Sequence, residues 1–327
     1  MSVLIDTHLH MGGCISPQVV WDMILKQSKH YLAESYSDVV SQMTFDIHEP
    51  YGFHRFLDKF RILDEVSWDE DAIDNSIKHI CEYLEFNKIA YAWLDFSINK
   101  YMKIGWHKTE AIKFIYDSFQ KYRPNQVGLI LSIKYESMKA SQKQYAKLIE
   151  NAEVAECLIG LDLVGDEAYF DAEFYKPIFE DWQKSGKITR AHVGESLSVE
   201  NVLSTILKLK ANRIAHGFKI VTNYDYIKIA KDNNVAFDLA ITSNYVTGVI
   251  EEGQPHPIKS MMDNNLLVTL GSDDPIQCET HLAKEFVKAA NYGVTSSQCE
   301  LLKQTALAHT INMLKAQNRP IPVSLQT

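Results

Sequence analysis

The sequence predicts an α/β fold, a (β/α)₈ barrel with a helical insertion after its first strand. Two observations carry this. Short apolar runs alternate with longer amphipathic stretches along the whole chain, and there are eight such runs. That rhythm is the signature of parallel βαβ units. The length of 327 residues sits in the range where such a barrel forms one unit. We therefore expect a single barrel over 1–327.

The runs come in order. Val3-Leu4-Ile5 opens the series, followed by Ile89 to Phe96, Val127 to Ile133 and Cys157 to Val164. Ile188 to Val193, Arg213 to Ala215, Val235 to Ile241 and Leu266 to Leu270 complete it. Between them lie legible helix starts. Ser16-Pro17 places a capping hydroxyl before a proline at the first helical position. Thr295 followed three residues later by Gln298 forms a capping box ahead of the last helix. The stretch from Ser28 to Glu85 is too long for one crossover, so residues 28–87 read as a helical insertion. Phe53, Phe56, Leu57 and Phe60 fall there at helical spacing. They read as a core-facing helix face, or more sharply as a lid over the barrel mouth.

Composition narrows the function classes. A formal net charge of −9 with no polybasic run argues against nucleic acid as a partner. No run of about 18 uncharged apolar residues marks a membrane span. The N-terminus lacks the basic and apolar regions of a signal peptide. Five cysteines without a C-x-x-C pair argue against a disulfide framework or cysteine-zinc site and fit a reducing cytoplasm. The sequence leaves the oligomeric state open.

In a barrel, chemistry collects at the carboxyl ends of the strands. The first strand ends in His8-Leu9-His10, and alternation turns both imidazoles to one side. The pair alone is a weak metal signal. The fifth ends in His192-Val193-Gly194-Glu195, the sixth in Ala215-His216-Gly217, and the eighth in Ser272-Asp273-Asp274-Pro275. Adjacent carboxylates can simply cap a turn, but four strand ends carrying His or Asp make a stronger pattern together.

At this point the chain resembles the adenosine deaminases. That family carries H-x-H, H-A-G-E, a G-H-G-like segment, S-N-Y-x-T-G, H-P and T-D-D-P in this order. Here stand His8-Leu9-His10, His192-Val193-Gly194-Glu195, Ala215-His216-Gly217, Ser243-Asn244-Tyr245-Val246-Thr247-Gly248, His256-Pro257 and Ser272-Asp273-Asp274-Pro275. Asp162-Leu163-Val164-Gly165-Asp166-Glu167 is similar to the family's D-L-A-G-D-E, and Phe56-Leu57-x-x-Phe60 to its F-L-x-x-F lid element.

The resemblance implies a metal-dependent aminohydrolase acting on a small purine-type substrate. His8, His10, His192 and Asp273 would hold one divalent ion per chain. Zn²⁺ suits this mixed nitrogen and oxygen set, and another divalent ion such as Fe²⁺ is compatible. Glu195 would protonate ring N1, His216 would orient the attacking hydroxide, and Asp274 would bond N7. The Gly165 backbone N–H would meet N3, with Phe56, Phe60 and Gly12 lining the substrate. Ser243 and Asn244 would support the site. The fourth strand end has no lysine to bridge a second metal, and the cytidine-deaminase pattern is absent. A relative in the same superfamily that hydrolyses an amide, an ester or a different aminated ring is the competing reading, and a non-catalytic relative is a third. Glu195 with Asp274 favours a ring with adjacent nitrogen acceptors.

Two positions depart from the family. Gly12 stands where an aspartate usually grips the ribose 5′-hydroxyl, which leaves nucleoside, nucleotide and nucleobase open. Lys100, Lys103 and His107 follow the second strand and are candidates for a phosphate. Asp95 stands where an arginine is usual. A buried acid needs a partner, and Lys134 is one candidate.

Overall fold

The computed structural model describes residues 3–45, 49–100, 105–137, 144–196 and 198–326. Eight parallel strands follow one another around a single sheet in sequence order. They are β1 (Leu4–His10), β2 (Ile89–Phe96), β3 (Val127–Lys134), β4 (Leu158–Val164), β5 (Ile188–Val193), β6 (Arg213–His216), β7 (Ala236–Leu239) and β8 (Leu267–Leu270). Closure is completed beyond β8. Asp273 bridges Leu9 in parallel, with Asp273 N donating to His8 O at 2.8 Å and His10 N to Asp273 O at 2.9 Å. The segment that closes the barrel thus also places Asp273 between the two histidines of β1.

Most expected strands sit where the apolar runs are. The fourth begins one residue late, because Cys157 ends the helix Ala152–Cys157. The seventh stops at Leu239, because Ile241 already opens the helix Ile241–Val246, which carries Ser243 and Asn244. The two expected caps form. Ser16 Oγ accepts from Val19 N ahead of Pro17. Thr295 and Gln298 cap each other at the start of Ser296–Ala316.

The stretch between β1 and β2 holds Pro17–Lys26, Tyr36–Met43, Phe53–Asp58, Arg61–Glu65 and Glu70–Phe86. The last of these packs against β2 and the helix Lys108–Tyr122, as an ordinary member of the outer ring. The insertion proper is the short-helix segment before it.

Apolar residues fill the space between sheet and helices. A second cluster closes the amino end of the barrel: Ile5, Tyr91, Trp93, Ile130 and Ile159 pack against Ala306, Met313 and Leu314 of the last helix. Trp93 Nε1 donates to Thr310 Oγ1 there at 2.9 Å, satisfying the one polar atom of a buried indole. Each such large side chain contributes about 1.5–3 kcal/mol by leaving water. The amino end is a packed plug, and the opposite end is free to carry chemistry.

Candidate metal centre and active site

The carboxyl end of the barrel brings together the four residues expected as ligands. One ligand atom each from His8, His10, His192 and Asp273 lies within 4.8 Å of all the others. His8 Nε2 is 3.0 Å from His192 Nε2, and His10 Nε2 is 3.2 Å from the same atom. Asp273 Oδ1 is 3.3 Å from His8 Nε2 and 3.1 Å from His10 Nε2. A tetrahedron with ligand bonds of about 2.0–2.1 Å has edges of about 3.3–3.4 Å, and five-coordination shortens some to about 2.9 Å. The spacing is that of a coordination shell.

Tautomers support the same conclusion. His8 Nδ1 lies 3.2 Å from the Asp238 carbonyl, which can only accept, so Nδ1 carries the proton. His192 Nδ1 lies 3.2 Å from the Asp162 carboxylate, so its proton is also on Nδ1. Two bare Nε2 lone pairs therefore face each other at 3.0 Å. They repel unless a cation lies between them. Burial also holds His8 far below its ordinary pKa, in the neutral form that ligates. The donor set fits a divalent ion, with the outer partners that orient ligating histidines already in place.

Below the cluster lies a buried charge network that the sequence reading missed. Arg190, fully buried on β5, reaches Asp95 through Nη2, Asp162 through Nε at 2.6 Å and Asp238 through Nη1 at 3.2 Å. Arg213 also binds Asp238, with Nε at 2.9 Å. The candidate partner of Asp95, Lys134, is exposed, and Arg190 takes that place instead. The register gives the reason. Asp95 pairs with Ile130, so Lys134 lies four residues nearer the mouth, outside the barrel interior. A charged residue inside an otherwise apolar run, as in Ile188-Thr189-Arg190-Ala191, was the available signal.

Glu195 follows His192 through the left-handed Gly194, whose N–H is held by the Glu167 carboxylate at 2.7 Å. Its Oε1 accepts from Thr247 Oγ1 at 3.3 Å, and its Oε2 is 3.6 Å from His216 Nε2. Burial, and then the charge of Asp273, push its carboxyl up to about 7. A group titrating there can both give and take a proton near neutrality.

His216 and Asp273 both have positive φ, at 61° and 59°. Side chains rarely adopt that conformation, and here it swings each residue off its strand end toward the cluster.

Asp274 is buried, and burial pushes its carboxyl well above the usual range. Its Oδ1 has no hydrogen-bond partner among the described residues. Asp274 thus leaves a buried, unmatched polar atom beside the metal-ligand cluster.

The two adjacent glycines differ. An added Cβ on Gly12 would meet only Phe60, at 3.7 Å, whereas one on Gly13 would lie 2.1 Å from Asp274 Oδ1 and 2.5 Å from its Cα. Gly13 is thus the residue that lets Asp274 sit where it does. Gly165, at φ +100°, lies against the Glu136 carboxylate. Phe56 belongs to a buried aromatic cluster with Phe45, while Phe60 is half-buried beside Gly12. Lys100 is paired with Asp64 at 3.2 Å. His107 is exposed at the start of a ring helix, and Lys103 lies outside the described residues.

A parallel barrel that gathers three histidines and an aspartate at its carboxyl end is the frame of a metal-dependent hydrolase. The adenosine deaminase family model matches residues 4–319, and the chain belongs to that family of metal-using enzymes. It is 25% identical to an adenosine deaminase from Clostridium kluyveri over 289 residues, covering 86% of this chain and 81% of that protein. Two solved structures share the fold. An amidohydrolase from Burkholderia ambifaria with bound Zn superposes with a TM-score of 0.84 at 17% identity, covering 96% of this chain and 89% of that one. An adenine deaminase from Arthrobacter aurescens gives 0.81 at 14% identity, covering 97% and 98%. Among the described residues no helix is long and apolar enough to cross a membrane.

Proposed function

We propose that the protein is a hydrolytic deaminase that removes the 6-amino, or N6-substituted amino, group from an adenine-type nucleoside. The observation that carries this reading is the pairing of two carboxyl groups beside the ligand cluster. Glu195 titrates near 7, and Asp274 keeps an unmatched buried oxygen. A purine offers two acceptors, N1 and N7, on the edges that flank its C6 amine. A protonated Glu195 donates to N1, which draws electrons from C6. A protonated Asp274 donates to N7 and fixes the ring. An amide or ester has no such pair of acceptors.

His8, His10, His192 and Asp273 would hold the metal, and Zn²⁺ is the ion we assign, one per chain. The ion supplies an acidified water, so that hydroxide is available near neutral pH. With its own proton given to N1, the Glu195 carboxylate would take one water proton and deliver it to the departing amine, and the second water proton would return to Glu195 as the carbonyl forms, N1 keeping its hydrogen. The His216 N–H stabilises the oxygen that bonds to C6. Water adds, ammonia leaves, and a carbonyl remains on the ring. The Gly165 N–H meets N3, and the insertion around Phe56 and Phe60 forms a lid over the ring.

The test is ammonia release by the zinc-loaded protein from adenine, adenosine, 2′-deoxyadenosine, their 5′-phosphates and N6-methylated forms. Fastest turnover on a nucleoside is expected. Preference for a base or a nucleotide would move the substrate assignment, and no release from any of them would overturn the reading. Metal analysis should find about one ion per chain, with activity lost on chelation.

A further inference from the structure

His256 contacts none of the four ligand residues, and no role has fallen to it so far. It is 2% exposed, and so is cut off from water. Its Nδ1 accepts from the Ile258 backbone N–H at 3.1 Å. A backbone N–H can only donate, so His256 must carry its proton on Nε2. That Nε2 lies 3.1 Å from Asn244 Oδ1, and Asn244 Nδ2 lies 3.0 Å from His216 Nδ1. Asn244 is fully buried, so both ends of its amide depend on these two rings.

Only one assignment satisfies every contact. His256 Nε2–H donates to Asn244 Oδ1, which turns Nδ2 toward His216 and makes His216 Nδ1 an acceptor. His216 then carries its single proton on Nε2, the atom 3.6 Å from Glu195 Oε2 and 3.8 Å from Asp273 Oδ2. Reversing the amide would set Nδ2 against His256 Nε2. His256 would then need its proton on Nδ1, facing the Ile258 N–H, and two donors would oppose each other. The chain from a backbone amide to the site is polarised in one direction.

We propose that His256 is a positioning residue which, through Asn244, locks His216 as a neutral Nε2–H donor and bars it from acting as a general base. The catalytic consequence rests on the deaminase reading above, but the tautomer itself does not. Burial and the proximity of His216 push the His256 pKa down to about 3, so the relay stays neutral across the working pH range. The Asn244 amide cannot accept a proton from His216 Nδ1 in this orientation. Proton traffic in the site therefore belongs to Glu195 alone.

The experiment uses the full-length zinc-loaded protein labelled with ¹⁵N-histidine. Long-range ¹H–¹⁵N spectra should show both His256 and His216 protonated on Nε2 and bare on Nδ1. Asn244→Asp replaces the donor by an acceptor and should move the His216 proton to Nδ1. His256→Leu should lower kcat by about 10–100-fold, the usual scale for a partner behind an active-site histidine, with KM and zinc content unchanged. His256→Gln, which keeps a donor at the Nε2 position, should recover most of the loss.

A wild-type His216 protonated on Nδ1 overturns the proposal, as does full kcat in His256→Leu. Should His256→Leu fail to fold, the wild-type and Asn244→Asp spectra decide alone. Should the wild type deaminate no purine, the functional reading falls while the spectra still judge the relay.

Discussion

Substituting Gly13 by Ala adds a single methyl group at the most crowded point of the site. The new Cβ would lie 2.1 Å from Asp274 Oδ1, 2.5 Å from its Cα and 2.8 Å from its Cβ. Rotating the Asp274 side chain relieves only part of this, because the Cα is in the way too. The backbone has little room to retreat. Ile276 N donates to Gly13 O at 2.9 Å, and Asp273 N donates to His8 O at 2.8 Å, so the segment is tied on both sides. Overpacking of this kind costs about 1–3 kcal/mol, or a melting-point drop of roughly 1.5–4.5 °C in a chain of this size. The larger effect is on rate. Moving Asp274 by an ångström should lower kcat/KM by about 10²-fold, and strain on the adjacent Asp273 should weaken metal binding as well. Gly12→Ala is the control, since its Cβ meets Phe60 at an ordinary 3.7 Å. It should change stability by no more than about 0.5 kcal/mol. Calorimetry with saturating zinc and initial-rate kinetics on the preferred purine measure both variants. A Gly13→Ala protein that melts and turns over like the wild type would refute the reasoning, as would equal losses in the two variants.

Glu195→Gln keeps the shape but carries no proton to N1, and should lower kcat by at least about 10²-fold with metal content intact; near-normal turnover sinks that assignment. Asp162→Asn removes the carboxylate behind His192 Nδ1, and chelator competition should show metal affinity about 10–100-fold weaker. An unchanged affinity would mean that Asp162 does not orient the ligand. Gly12→Asp should raise kcat/KM for a nucleoside over its 5′-phosphate by about tenfold, since like charges repel; an unchanged ratio places the substrate's tail elsewhere. His309 has its pKa pushed down to about 4 by burial and then by Arg213. The native state therefore binds fewer protons than the unfolded one, whose histidine titrates near about 6.5. Stability from this group is full above that value and falls as pH drops toward 4. Urea midpoints for wild type and His309→Gln should diverge in this window, and parallel curves would contradict the assignment.

The strands were legible because burial on both faces demands continuous apolar runs, and each run marks its own position. Their ends were less so. Ala240 and Ile241 are as apolar as a strand, yet the helix Ile241–Val246 starts there, and hydrophobicity alone does not distinguish the two. The ligand residues were visible because three strand ends repeat one chemistry. Their partners were not, because pairing inside a barrel depends on register and inward direction. Asp95 and Arg190 lie 95 residues apart, and neither residue's neighbours in sequence point to the other. Lys134 looked closer on the adjacent strand and was wrong by half a strand's length. Gly12 drew attention as a departure from a family pattern, while the steric necessity lay one residue on, at Gly13. Sequence shows which residue is unusual, and only packing shows which is indispensable.

The buried network has a consequence for how the metal is held. Asp95, Asp162 and Asp238 surround Arg190, and Arg213 shares Asp238. Despite burial, Arg190 and Arg213 hold the Asp162 and Asp238 carboxyls well below the usual range, whereas burial pushes Asp95 up to about 7, so Asp162 and Asp238 carry the firm negative charge below the ligand cluster. Asp162 links this network to the cluster, since it touches both Arg190 and His192 Nδ1. It makes His192 a stronger electron donor and fixes its ring, as a carboxylate behind a ligating histidine does. Asp238 does the same for His8 through its backbone, since its carbonyl receives Nδ1 while its carboxylate is anchored by both arginines. Arg190 also donates to the Thr7 carbonyl, one residue before His8. One guanidinium thus sets the positions behind two ligands on two different strands. A buried ion pair contributes little net stability, but removing one partner strands the others at a cost of about 3–5 kcal/mol. Arg190 is therefore better understood as the part that holds the ligand geometry rigid than as an element of the barrel's stability. An apolar interior of equal volume would pack as well, but it would leave His192 Nδ1 without the Asp162 carboxylate that fixes its ring.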